Sequence, residues 1–491
     1  MRLRNSSWYL IIFFASVALF AWLESSYTFI DPDSFYHARF SQLMSKQGII
    51  TNFSWQQATV LKNYFTDHHL LYHLLLVPLN YFFNPAIAIK IGSVLLNSFF
   101  IVLFAWYLQK KKIKYYGIYV ALLMTAVPFL IRLSAPKASP LALILLLLGI
   151  YCSEQKKYLF LILISFLYVW SHGGFILLLI IGIIFSWKSL WPIIAGFAAG
   201  LIINPYFPKN ILFYWQQVVQ IGIVNYQGDF EVGAEWYHYS LPNLMGNTHL
   251  VWIPLVLALV VFIAYFKQQS RNNRQWSAIF ILFFLATLRS RRFVEYFVPA
   301  TIIWSALVMN WYVQSVHFKK MYHSFLLSWQ KRKFWWSLLI IYMLIVIPFG
   351  AIRGLWLVKQ EQEHGIAISS FQSASEYLSA HSAPHSIVFN GQWDEWPILF
   401  YHNINNDYLV GLDPTFMYKY DTRLFNLWQE IRSGKINSNI AQVINDNFHC
   451  RYIFINNENE GTKLFHAYMM RDTNIKQIYS DKGASIYEII L

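Results

Sequence analysis

Long apolar runs separated by short, basic, polar loops set the pattern of the first three-quarters of this chain. Runs near residues 7–24, 86–108, 115–131, 138–152, 158–170, 174–187, 190–204, 250–266, 276–289, 293–313 and 335–356 predict a polytopic α-helical membrane protein with about 11 transmembrane helices. A lone span needs roughly 17–25 residues, and spans buried among other helices can be shorter. The loops carrying Arg2 and Arg4, Lys110–Lys112 with Lys114, Lys156 and Lys157, Lys188, Lys267 with Arg271 and Arg274, and Lys319, Lys320 and Lys331–Lys333 then share the cytoplasmic side, as the positive-inside rule asks. The first run follows two arginines as a signal peptide does but lacks a small-residue cleavage site, so it reads as a retained helix. An odd number of crossings puts everything after residue 356 outside.

Two stretches break the pattern on the outer side, residues 25–85 and 204–250. Loops this long are usually functional or disordered, and these are too aromatic for disorder. Within the first, Tyr36, Phe40, Leu43 and Met44 recur at i, i+4, i+7 and i+8, which predicts an amphipathic helix over Ser34–Gln47 lying on the membrane and ended by Gly48, with Asp33 as a candidate N-cap. The run 68–83 reads as an interfacial or re-entrant helix, because a crossing there would invert every later loop. Asp67, His68, His69 and His73 then stand at the water boundary.

After residue 356 the pattern changes. SIVFNGQW and RYIFINN are β-branched or apolar runs bounded by Gly, Asn and Asp, and TRLFNLWQEIRSG has helical spacing. Residues 357–491 are therefore expected to form an extracytoplasmic α/β or α+β domain behind a membrane domain of residues 1–356.

Composition agrees: 57% of residues are hydrophobic and 13% charged, which no ordinary soluble domain shows. A net charge of +14 raises the question of nucleic acid, but the basic residues sit in short loops, and membrane orientation accounts for them. From Val358 onward 10 Lys and Arg face 15 Asp and Glu, leaving 28 against 9 before it. The tail is acidic while the membrane part is basic. Cys152 and Cys450 fall on opposite sides in this topology, so no disulfide is expected between them.

The nine acidic residues of the membrane part sort by side. Glu24, Asp31, Asp33, Asp67, Asp229, Glu231, Glu235 and Glu295 lie at or near the outer face, and only Glu154 is cytoplasmic. The orientation rule does not require this, since Asp and Glu contribute little to it. A shared outer site accounts for it. The densest part is Phe29–Phe40, FIDPDSFYHARF, directly after the first helix. Ionisable groups at a membrane boundary are expensive unless they bind or react; the competing reading is a solvated cap on a membrane helix.

Asp33-Ser34-Phe35-Tyr36-His37-Ala38-Arg39 resembles the D-P-[YW]-[YF]-[HN]-x-R segment that follows the first membrane helix in catalytic subunits of oligosaccharyltransferases, members of the GT-C class of membrane glycosyltransferases. In that family the aspartate contacts the acceptor and the metal. This register makes Asp33 its counterpart and Arg39 the terminal arginine; Asp31 competes through the pair Asp31-Pro32. Val127-Pro128 with Arg132-Leu133-Ser134 resembles the family's P-x-x-x-S-R-S, Gly173-Gly174-Phe175 its W-G-G-Y with His172 at the tryptophan, and Gln392-Trp393-Asp394-Glu395-Trp396 stands where the family carries W-W-D-Y-G. Glu235 in GAEW resembles the family's loop glutamate. The matches keep the family order, with little likeness between them. In the second outer loop the family carries a D-x-D or D-N-E group, where this chain reads Ala135-Pro136-Lys137-Ala138-Ser139-Pro140.

The resemblance implies transfer of a sugar or oligosaccharide from a polyprenyl (di)phosphate to a protein, lipid or polysaccharide acceptor, in a bacterial inner (plasma) membrane with the site and tail outside. Such a reaction needs a carboxylate to orient or deprotonate the acceptor and positive charge for the leaving phosphate. The expected catalytic residues are Asp33, Asp31 and Glu235. Arg291, Arg292 and Arg132 are the expected phosphate ligands, since guanidinium binds phosphate bidentately; the competing reading for the 289–292 arginines is interfacial snorkelling. Arg39, Trp393 and Asp394 are expected at the acceptor. If a divalent cation (Mg2+ or Mn2+) is used, Asp33 with Asp67 and His68 is the expected set, and a metal-free mechanism is equally open. Two other functions compete: single-sugar transfer from polyprenyl phosphate to a lipid or polysaccharide, and a lipid-linked glycan transporter or flippase, which predicts mid-membrane carboxylates and internal repeats.

Overall fold

The computed structural model describes residues 2–491, with side chains from residue 7 onward except that of residue 339. The side chains of Arg2 and Arg4 lie outside the described residues. A helix stands at each of the eleven expected positions. By length and composition, Pro85–Lys110, Arg291–Val313 and Lys333–Glu363 qualify as single spans. Two bent pairs add to these, Tyr116–Leu123 with Val127–Leu133 at 76° and Leu241–Asn247 with His249–Ala264 at 106°. The lengths therefore support three to five spans, and helices such as Ser139–Glu154 and Tyr158–Val169 are shorter apolar rods beside them. The run at 68–83 becomes the helix Leu70–Asn80. Its 11 residues reach about 16 Å, half of a hydrocarbon core.

The motif helix runs Asp33–Gln47 and stops at Gly48, whose φ of 76° favours glycine. Asp33 is its first residue, not its cap: the Asp31 side chain accepts the Asp33 N–H at 2.9 Å. That leaves the Asp33 carboxylate free for other partners. The helix is packed on more faces than the single apolar one that its periodicity predicts. Phe35, Tyr36, His37, Phe40, Leu43 and Met44 are all buried, against Leu70–Asn80, Pro85–Lys110 and the tail helix Trp396–His402.

The tail explains this burial. Its five strands are β3 (Ile387–Asn390), β4 (Asp407–Tyr408), β5 (Tyr452–Asn456), β6 (Ile475–Ser480) and β7 (Ala484–Ile489), in the order β4-β3-β5-β7-β6. β3 is parallel to β4 and β5, while β7 runs antiparallel between β5 and β6. β3, β5 and the helix Thr422–Arg432 fall on the three segments that the sequence marks. A separate ribbon pairs β1 (Thr28–Phe29) with β2 (Ile366–Ala367), tying the motif segment to the start of the tail. Gln57 and Ala58 donate backbone bonds to Tyr408 and Leu409 at 2.7 and 3.0 Å, extending the contact along β4. Trp396 then packs on Tyr36 and Phe53, with centroids 5.8 and 5.9 Å away, and Tyr401 meets Phe35 at 5.5 Å. The apolar face of the motif helix is thus covered by the tail.

Beside Trp396, Glu395 is 6% exposed, and burial raises its carboxyl from an ordinary 4.5 to about 8, against hydrogen bonds with Asn456 and Asn459. The folded chain keeps a proton that the unfolded chain releases between those values. Stability from the neutral form is complete below about 4.5 and is lost as pH rises through about 8. Glu395→Gln should therefore raise the thermal midpoint of the full chain in detergent at pH 8.5 by several degrees and leave it nearly unchanged at pH 5. Differential scanning fluorimetry across this range checks it.

Candidate active site

A cavity of about 520 Å³ opens where the motif helix, the stretch 204–250 and the tail meet. Asp31, Asp33, Arg132, Glu235, Arg292, His68, Trp393 and Asp394, all expected from sequence, line it. The elements that deliver them are far apart in the chain. The turn before the motif helix supplies the aspartates, the lower half of a broken helix supplies Arg132, and a 3₁₀ turn at Ala234–Trp236 supplies Glu235. Arg292 comes from the 3₁₀ turn Arg291–Phe293 that opens helix Val294–Val313, and Trp393 and Asp394 from the turn after β3.

Charge is arranged in two linked groups. In the first, the Lys137 ammonium lies 2.6 Å from Asp31 Oδ2 and 2.9 Å from Asp33 Oδ2. Burial alone would discharge this lysine, but the two carboxylates overcome it and hold its pKa above the ordinary range. In the second, Glu235 is shared between Arg132 and Arg292, the latter at 2.9 Å. Burial would raise the Glu235 carboxyl, yet Arg292, Arg132 and Lys137 together hold it well below the usual carboxylate range. Arg132 is anchored from behind by Glu295 at 3.0 Å. Arg292 lies over the Trp236 ring at 4.9 Å and meets His172 Nε2 at 3.3 Å. His172 also caps the 3₁₀ turn Gly173–Ile176, its Nδ1 accepting from Gly174 N–H. Each guanidinium thus spends an N–H donor on Glu235.

Three expected residues lie elsewhere. Arg39 does not line the cavity; it donates to Gln42 on its own helix at 2.6 Å. Arg291, adjacent to Arg292, points the other way and donates to the His238 carbonyl on an exposed surface. Asp67 is 2% exposed and turned inward to His73 Nδ1 at 2.7 Å. Lys137, His37 and Asp413 line the cavity without having been expected as site residues. Asp413 belongs to the Gly411–Pro414 segment, legible only as a turn. It caps helix Pro414–Tyr420 through the Thr415 N–H, and burial raises its carboxyl to about 6. Gly411 is required there, because a Cβ would meet the Trp396 ring at 2.4 Å.

The donor set does not fit a divalent cation. Asp33 is taken by Lys137 and Asp67 by His73, so the expected Asp33–Asp67–His68 group does not converge. Among the described residues no group of three or more His, Cys, Asp or Glu side chains is arranged to hold a metal. A lysine ammonium already stands between the two aspartates.

Solved structures with this arrangement of helices and tail were found. The archaeal oligosaccharyltransferase AglB from Archaeoglobus fulgidus, determined with an inhibitory peptide and a dolichol-phosphate, aligns with a TM-score of 0.65 at 11% identity, over 99% of this chain and 74% of that one. The chain has a GT-C-like fold. The mycobacterial arabinofuranosyltransferase AftD aligns at 0.57 and 11% identity over 99% of this chain and 40% of its own. ArnT from Cupriavidus metallidurans aligns at 0.52 and 12% identity over 98% of both. No protein-family model and no curated protein matches the sequence. The apolar helices and the GT-C-like fold mark an integral membrane protein.

Removing Lys137 leaves Asp31 and Asp33 without their shared cation. Calorimetric titration of the purified wild type with Mn2+ should show no saturable site, and Lys137→Ala should gain one of about millimolar affinity, as two carboxylates alone would give. A saturable site in the wild type that is lost in Asp33→Asn would refute the fit argument.

Proposed function

We propose that this protein is a GT-C glycosyltransferase that moves a sugar or oligosaccharide from a polyprenyl (di)phosphate to an acceptor bound in the outer cavity. The observation that supports it most is the pairing of the two charge groups across one cavity: Asp31 and Asp33 on Lys137, and Arg132 and Arg292 on Glu235. One group suits an acceptor and the other a leaving phosphate.

In this reading the donor phosphate binds Arg292 and Arg132, which neutralise charge as the bond to the anomeric carbon breaks. Glu235 now occupies the guanidinium donors that such a phosphate needs. Donor binding therefore displaces Glu235 toward the acceptor, and Asp33 orients the acceptor from the opposite side. Trp393 and Asp394 on the tail border the acceptor end. No step requires a metal, since Lys137 supplies the local positive charge.

Transfer of a single sugar to a lipid or polysaccharide is the second reading. It is favoured by Lys137 in place of second-loop carboxylates and by the altered tail segment Gln392–Trp396. Mass spectrometry of glycoproteins and glycolipids from a deletion strain separates the two acceptor classes. A transporter would need carboxylates along a path through the membrane, whereas Asp31, Asp33, Glu231 and Glu235 share one cavity with the tail.

Two outcomes are expected in a transfer assay with purified protein. Asp33→Asn and Arg292→Ala each lower kcat/KM by about 100-fold or more; full activity of Asp33→Asn would remove the central assignment. Glu235→Gln lowers both the donor KM and kcat, because the competitor of the phosphate is weakened along with the acceptor contact. A higher donor KM in Glu235→Gln would contradict the displacement step.

A further inference from the structure

His37 stands one helical turn beyond Asp33, and residues four apart share a helix face. Both line the cavity. Behind His37 runs a buried chain: its Nδ1 is 2.8 Å from His73 Nε2, and His73 Nδ1 is 2.7 Å from Asp67 Oδ2. The three residues are 3%, 0% and 2% exposed. Simple packing between two helices would not call for three polar side chains in series at this depth, where each must be satisfied.

The far end of the chain dictates the proton positions. The Asp67 carboxylate accepts, from the His69 N–H at one oxygen and from His73 at the other. His73 therefore carries its proton on Nδ1, since a bare nitrogen facing a carboxylate oxygen at this distance would set two acceptors against each other. Neutral His73 then offers Nε2 as an acceptor, and His37 must donate from Nδ1. That leaves a lone pair on His37 Nε2. This atom has no hydrogen bond within the protein among the described residues, and it is not one of the sealed polar atoms without a partner.

We propose that His37 is the proton acceptor of the transfer, backed by His73 and Asp67 as a carboxylate–imidazole–imidazole relay. The inference rests on the glycosyltransferase reading of this cavity. As the acceptor O–H or N–H attacks the anomeric carbon, a new bond forms to that carbon and its bond to the phosphate oxygen breaks. The electron pair leaves on the polyprenyl phosphate, and the acceptor's proton passes to His37 Nε2. The Nδ1 proton can then shift to His73 and the His73 proton toward Asp67. The positive charge so formed meets the carboxylate of Asp67 and recedes from Lys137. Asp33, clamped by Lys137, is left to orient the acceptor.

His37 is flanked on its own helix by Tyr36, on the next by His69, Tyr72 and His73 with ring centroids 5.0, 5.5 and 5.0 Å away, and by Lys137 and His68 across the cavity. Burial first, then His69, His73, Lys137 and His68, hold it well below the ordinary histidine value, so it is unprotonated at neutral pH. Activity should fall as pH drops through that lowered value.

The test is a pH profile of kcat and KM for wild type, His37→Gln and Asp67→Asn, with thermal midpoints recorded alongside. Expected are a fall in kcat of about 100-fold or more in His37→Gln at little changed KM, loss of its acid limb, and a smaller fall with a displaced limb in Asp67→Asn. An unchanged acid limb in folded His37→Gln overturns the proposal. Diethyl pyrocarbonate labelling of the wild type, read by peptide mass spectrometry, decides independently of activity and of any variant's folding. His37 modified at pH 7 supports a free cavity-facing nitrogen, and His37 inert while His68 reacts overturns it. Labelling of His37 in a protein that transfers no sugar would instead count against the glycosyltransferase reading.

Discussion

A lysine ammonium held between two carboxylates is the interaction on which the site depends. Asp31 and Asp33 are two residues apart and face the same cavity, an arrangement that repels itself unless a cation intervenes. Lys137 is that cation, and it comes from the loop that follows Arg132 by only a few residues. One contact therefore fixes the turn before the motif helix against the segment that carries Arg132. Because the Asp31 side chain also accepts the Asp33 N–H, the position of Asp33 is fixed from the backbone side and the side-chain side at once.

The scaffold sets that arrangement beside a packed wall of motif helix and tail. The motif helix has the spacing of a surface helix, but the tail lays Trp396, Phe400 and Tyr401 over its apolar face. The β1–β2 ribbon and the bonds from Gln57 and Ala58 along β4 hold the tail in place. On the opposite wall the pair Arg432–Glu231, 3.0 Å apart, links the tail to the second outer stretch. The tail thus closes the cavity and contributes Trp393, Asp394 and Asp413 to it.

Periodicity was enough to locate the helices and two of the five tail strands, and of the eight acidic residues sorted to one side Asp31, Asp33, Glu231 and Glu235 line one cavity. The register ending at Arg39 favoured Asp33 over Asp31 as the motif aspartate, whereas in the structure both contact Lys137. What the sequence could not carry were pairings between distant segments. Lys137 read as a missing carboxylate because its partners lie about a hundred positions earlier. Asp67 and His68 are adjacent in sequence, yet one faces inward to His73 and the other lines the cavity. Neighbours diverge in the same way at Arg291 and Arg292, where a turn points one guanidinium to solvent and the other to Glu235. Strand β6 is the exposed edge of the sheet and carries Lys476, Gln477 and Ser480, so its alternation was too weak to mark it, while β7, buried between β5 and β6, is a mixed run of small, polar and apolar residues.

The central claim is that this cavity receives a polyprenyl phosphate at the expense of the Glu235 ion pairs. A cryo-EM structure of the purified protein with saturating polyprenyl phosphate tests it directly. The expected map has phosphate density within hydrogen-bond distance of Arg292 and Arg132, Glu235 swung away from Arg292, and Lys137 still bridging Asp31 and Asp33. Phosphate bound outside the cavity, with the Glu235–Arg292 contact intact, would contradict it.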